Sequence, residues 1–128
     1  MLRVKTVFLI LVFIFLVGYT GGIWGGSWYL EIGNTYLHFA GGLFMGLLVA
    51  TYYRSEFAKL SQPFRFFCLV GIVIGIGVMW EFHEFILNQV FNSLKFQGDN
   101  IDTMKDLLMD TLGGMAAAVL YSFRGRNP

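Results

Sequence analysis

Apolar positions in this chain come in long unbroken runs rather than in alternation. Four runs, over residues 4–23, 36–53, 64–87 and 103–123, match the roughly 20 residues that a helix needs to cross the hydrocarbon of a bilayer. Each is predicted to be helical, because an open strand in lipid would leave its backbone N–H and C=O groups unpaired. No ten-residue alternating pattern suggests a membrane barrel. Polar residues collect in short connections over 25–35, 54–65 and 88–102. The expected fold class is therefore all-α: a polytopic membrane protein forming one compact bundle of four transmembrane helices, with residues 1–128 as a single integral membrane domain.

Composition supports this reading. The chain is 56% hydrophobic and only 13% charged, well under the roughly 25% charged usual for soluble domains. A formal net charge of +1 gives no basis for binding nucleic acid. The single Cys68 excludes an intramolecular disulfide and any multi-cysteine metal site, and reads as a packing residue. Arg3 and Lys5 ahead of an apolar core give the first run the outline of a signal peptide. No A-x-A site follows, and the apolar stretch continues through Gly18 and Tyr19 to Ile23 and Trp24, so the run is read as a membrane helix.

Charge asymmetry sets the expected orientation. With four spans, Arg3, Lys5, Arg54, Lys59, Arg65, Arg124 and Arg126 fall on one side and only Lys95 and Lys105 on the other. Basic loops stay in the cytoplasm, so both termini and the 54–65 loop are predicted to be cytoplasmic. Trp24, Trp28, Tyr29 and Tyr36 then form part of an outer aromatic belt.

Against this apolar background the acidic residues are concentrated. Glu81, Glu84, Asp99, Asp102, Asp106 and Asp110 account for six of the eight in the chain. An ionised carboxylate at the centre of a membrane helix costs about 2.5–3.5 kcal/mol on insertion scales. Such groups therefore need protons, cationic partners, a metal or a water-filled cavity. On the third span, Gly77, Glu81, Glu84 and Asn88 recur on one helical stripe, bordered by Trp80. His83 projects to another side, and Leu87 in the second histidine position rules out an H-E-x-x-H motif. On the fourth span, Asp102, Asp106, Asp110 and Gly114 step by four along one face. Lys105 projects about 100° from Asp106 and at best serves a neighbour. On the second span, Asn34, His38, Gly41, Gly42 and Gly46 share a face.

Small residues four apart, at Gly42 and Gly46, Gly71 and Gly75, and Gly114 and Ala118, allow membrane helices to approach closely, within the chain or between copies in an oligomer. With the predicted topology, His38 opens the second span, Glu81 and Glu84 close the third, and the aspartates open the fourth. The second, third and fourth helices are thus expected to enclose an acidic site near the non-cytoplasmic face. Asp99 and Glu31 read as loop residues, and the Phe-rich runs as lipid-facing or packing side chains.

The series His38-Phe39-x-x-Gly42, Trp80-Glu81-x-x-Glu84 and Asp102-Thr103-x-x-Asp106-Leu107-x-x-Asp110-x-x-Gly113-Gly114 resembles the YjdF family of small bacterial inner-membrane proteins. It is more distantly similar to the VanZ-like proteins. The likeness covers about 36–120. VanZ-like proteins typically carry Asn where this chain has Asp110, and often an Arg ahead of the last span that is absent here. The resemblance implies a multi-pass protein of the bacterial cytoplasmic membrane and, through VanZ, a link to the cell envelope. It implies no particular reaction.

Three functions fit these residues. The first is a membrane-embedded hydrolase or transferase acting on a lipid-linked envelope substrate. In it His38, Glu81, Asp106 and Asp110 hold a divalent ion such as Mg²⁺, Mn²⁺ or Zn²⁺, Glu84 is the general base, and Glu81, Glu84 and Asp106 are the candidate catalytic carboxylates. The second is a proton- or cation-coupled translocator whose acids titrate. It lacks a visible inverted repeat, and polar residues thin out toward the cytoplasmic half. The third is a non-catalytic envelope module that binds a lipid headgroup, an ion or a partner protein. Membrane lipids are the expected surroundings in all three.

Overall fold

The computed structural model describes residues 4–24, 32–91 and 97–124, and over them the chain is all-helical. The order is α1 (Val4–Trp24), α2 (Asn34–Tyr52), α3 (Arg54–Ala58), α4 (Gln62–Val90) and α5 (Asn100–Arg124). The four apolar runs form the four long helices, but local chemistry rather than hydropathy sets the ends. Ser61 is extended just before α4, and Pro63 occupies its first turn, where a missing N–H costs nothing and the fixed φ suits a helix. Asp99 Oδ1 accepts hydrogen bonds from the backbone N–H groups of Ile101 and Asp102, both 2.9 Å. Asp99 thereby caps α5, a role more definite than the loop position expected for it.

The 54–65 connection, expected to be a loop, contains the short helix α3. Its Phe57 is buried with Ala50, Leu69, Val70 and Ala118, so the helix is held by what it packs against more than by its length. Beside it, Ser55 Oγ donates to Glu56 Oε2 at 2.8 Å and holds that exposed carboxyl below its ordinary pKa.

α2 packs most extensively on α5, α4 also lies against α5, and α1 runs chiefly along α2. The α2–α5 seam is close because of its small residues. A Cβ on Gly42 would come within 2.5 Å of the Asp110 carbonyl oxygen, and one on Gly46 within 2.6 Å of the Ala117 Cβ. Gly114 faces Val73 on α4, and Ala118 is buried. Gly71 and Gly75, by contrast, face open space, so this third pair does not bring helices together within the chain.

Two groups of contacts fix which helix ends lie together. Val7 of α1 is buried with Leu47 and Ala117, and the Arg65 guanidinium lies over the Tyr121 ring, 5.8 Å from its centroid. Lys5, Arg54, Lys59 and Arg65 therefore cluster toward the same end of the bundle. Phe15 of α1 meets Trp80 of α4 edge-on at 5.5 Å toward the other end.

Among the described residues three helices, α1, α2 and α4, are long and apolar enough to cross a membrane, where four were expected. α5 is long enough at 25 residues, but Asp102, Lys105, Asp106 and Asp110 lower its apolarity. Its outward side is nevertheless apolar, with Ile101, Met104, Leu108, Leu112 and Val119 exposed. The molecule is inverted relative to a soluble protein. Large apolar side chains such as Phe13, Phe67 and Met79 cover the outside, while Asn34, His38, Glu81, Glu84, Asp106 and Asp110 are buried.

Candidate functional site

The buried polar side chains come from three helices at matching heights. Asn34 and His38 lie one turn apart on α2, Glu81 and Glu84 follow Gly77 on α4, and Asp106 and Asp110 lie one turn apart on α5. Glycines make room for them. A Cβ on Gly77 would overlap the Asp110 carboxylate, and Gly42 admits the α5 backbone at the same residue.

His38 is the hub. Its Nδ1 is 3.1 Å from Asp110 Oδ2, a distance at which the carboxylate selects the tautomer with the proton on Nδ1. The other nitrogen, Nε2, then turns toward Asp106 Oδ2 at 3.6 Å and Glu81 Oε1 at 3.9 Å. Both separations are too long for a direct hydrogen bond. Asn34 Nδ2 donates to Asp106 Oδ2 at 2.7 Å. Thr103 and Gln97 approach Glu81, but neither Glu81 oxygen, nor Asp106 Oδ1, has a partner of good hydrogen-bond geometry among the described residues, although all three atoms are buried. Burying such an acceptor without a partner costs about 1–3 kcal/mol, and more if it is charged. His38, Glu81 and Asp106 each offer one ligand atom, and these atoms lie within 4.8 Å of one another.

Glu84 is buried beside this cluster and accepts a hydrogen bond from Trp80 Nε1 at 2.8 Å; it makes no close approach to His38. Asp110, grouped on sequence with the ligands, sits instead on the far nitrogen of the imidazole. Asp102 stands at the rim and pairs with Lys105 at 3.3 Å, so the direct ion pair of Lys105 is with Asp102 and not with a buried aspartate. His83 stacks at a tilt against Trp80, 5.2 Å between centroids, outside the cluster. Asn88 Nδ2 donates to the Gln97 carbonyl oxygen at 3.1 Å, tying the end of α4 to the segment before α5. Trp24 and Tyr36 are exposed as expected of belt residues. Trp28, Tyr29, Glu31, Lys95, Arg3 and Arg126 lie outside the described residues.

Two functional neighbours had no role assigned from sequence: Asn34 as a donor to Asp106 and Trp80 as a donor to Glu84. Both signals were present as i,i+4 spacings, Asn34 to His38 and Trp80 to Glu84.

An all-helical chain with membrane-length apolar helices, a greasy exterior and a carboxylate interior is an integral membrane protein. Residues 1–127 match the family model described as "Predicted membrane protein (DUF2238)", and the chain belongs to that family. No curated protein and no solved structure matches it.

Proposed function

We infer that this protein is a four-span metal-dependent hydrolase or transferase of the bacterial inner membrane, acting on a lipid-linked envelope substrate. The observation that carries the reading is the arrangement around His38 Nε2. This nitrogen faces two carboxylates across gaps of 3.6 and 3.9 Å, and three oxygens of the same two carboxylates are buried without a hydrogen-bond partner among the described residues. Ligands about 2.1 Å from a common ion lie about 3–3.5 Å apart, so a divalent cation would fit between one atom of each residue with small adjustments and would give Glu81 Oε1 a partner. His38, Glu81 and Asp106 are the ligands in this reading. Asp110 moves from ligand to positioning residue, orienting the imidazole through Nδ1 as carboxylates commonly do behind metal-bound histidines. Asn34 does the same for Asp106. The ion would polarise a phosphoryl oxygen and acidify a bound water. Glu84, buried and held by Trp80, would serve as the general base for that water.

Burial supports a fourth span. The charges of α5 that lie among its apolar turns point into the bundle, while its outward side is apolar, so α5 meets lipid as the other long helices do. An even number of spans returns both termini to the side of Lys5, Arg54, Lys59 and Arg65, which basic loops assign to the cytoplasm. The motif likeness to YjdF proteins is consistent with this topology and membrane. A one-sided site is favoured over a translocation path, because the core beyond Asp110 is Leu47, Ala50, Leu69, Val73, Ala117 and Ala118, all buried and apolar.

The test is turnover of a polyprenyl diphosphate by the purified protein in detergent micelles with Mn²⁺ or Mg²⁺. Glu84→Gln is expected to abolish phosphate release while retaining metal. Stoichiometric metal with no turnover on lipid-linked phosphates would contradict the enzyme and leave a binding module.

A further inference from the structure

An elongated cavity of about 350 Å³ lies between α1, α2 and α4, within the size range of ligand pockets. Its lining on α2 runs from Asn34 to Leu48, about 21 Å of helix at 1.5 Å per residue, so about 350 Å³ spread along it leaves a mean cross-section of roughly 17 Å², room for a single hydrocarbon chain. The slot has two chemically different ends. Asn34, His38, Asp110 and Trp80 line one end, whereas Leu11, Met45 and Leu48 line the rest. α1 packs chiefly on α2 and so forms a side wall, with Phe15 touching Trp80 at the polar end. An apolar void at this depth cannot hold water, and leaving it empty forfeits van der Waals contacts along its walls. What fills it in a bilayer is hydrocarbon.

We propose that this slot binds the single hydrocarbon chain of the substrate, with the attached head against His38 and Asp110. The substrate is then a one-chain amphiphile, such as a prenyl or alkyl phosphate, and not a two-chain phospholipid. The proposal rests on the reading of the polar cluster as the reaction site and adds how the substrate is recognised. A volume this small over that length takes one chain, and the slot's polar end opens onto the cluster. α1, which contributes no residue to the acidic cluster, thereby acquires a function as the wall of the chain site.

Gly41 lines the slot, and a Cβ there meets nothing within 4 Å; Gly75 has the same open space but lies outside the slot. Gly41→Phe therefore fills the slot, and Gly75→Phe is its control. The readout is quenching of Trp80 fluorescence, in a Trp24→Phe, Trp28→Phe background, by an alkyl phosphate brominated along its chain. It is titrated into micelles with chelator present, so that it does not depend on metal. The expected result is saturable quenching that weakens roughly tenfold or more in Gly41→Phe, where the chain loses its wall contacts, and is unchanged in Gly75→Phe. Brominated two-chain phosphatidic acid should quench without saturation. Equal quenching in both glycine variants, or saturable quenching by the two-chain lipid, would overturn the proposal. Loss of metal or turnover without loss of saturable quenching would overturn the catalytic reading alone.

Discussion

His38 touches carboxylates from both other helices of the site, and its two nitrogens divide the work. Asp110 on Nδ1 sets the tautomer, which leaves Nε2 to face Glu81 and Asp106. Removing a ligand and removing its orienting partner should therefore differ in degree. Asp106→Asn and Glu81→Gln are expected to abolish metal binding. Asp110→Asn and Asn34→Ala are expected to weaken it about 10–100-fold, measured by competition with a chelating indicator. Binding should also fall with acidification. The ion needs a neutral imidazole and ionised carboxylates, so protons compete for the same atoms. Titrating from about pH 7 to pH 5 should release metal, and tighter binding at the acid end would contradict the ligand set. Helical periodicity made His38, Glu81, Asp106 and Asp110 legible as residues of one site. It could not distribute them between the two imidazole nitrogens, because periodicity gives a face and not a distance.

At the level of elements, the bundle depends on how closely α2 approaches α5. The Cβ that Gly42→Ala adds would collide with backbone at Asp110, which cannot rotate away as a flexible side chain would. A loss of about 1–3 kcal/mol is expected for such overpacking, read as a lower midpoint of thermal unfolding in detergent. Gly75→Ala, in open space, should leave the midpoint unchanged or raise it. Asp99→Ala removes the acceptor for two N–H groups at the start of α5, at a cost of about 1 kcal/mol. The long helices were legible because lipid demands long apolar runs, and the close glycines because their spacing repeats. α3 was not, since five residues carry too little pattern and the burial of Phe57 is tertiary. The small-residue pairs also could not be ranked from sequence: Gly42, Gly46 and Gly114 lie in tight seams, while Gly71 and Gly75 do not.

For the molecule as a whole, an apolar exterior and a carboxylate interior make membrane insertion and site assembly one problem: the acids are sheltered from lipid only once α2, α4 and α5 have met. Hydropathy read along α5 is low for this reason, since Asp106 and Asp110 weigh against it although they are buried. The topology makes a direct prediction. In a Cys68→Ala background, cysteines at Ser55 and Asp99 should label with an impermeant thiol reagent from opposite sides of the membrane, with position 99 reached from the periplasm. A C-terminal reporter should be active in the cytoplasm; periplasmic activity would mean that α5 does not cross. The central claim is the cation among His38, Glu81 and Asp106, and it is tested most directly by the metal content of the purified protein in detergent, measured by inductively coupled plasma mass spectrometry. The account predicts near-stoichiometric Mg²⁺, Mn²⁺ or Zn²⁺, absent from Asp106→Asn and Glu81→Gln. A protein free of metal even after incubation with all three ions would contradict it.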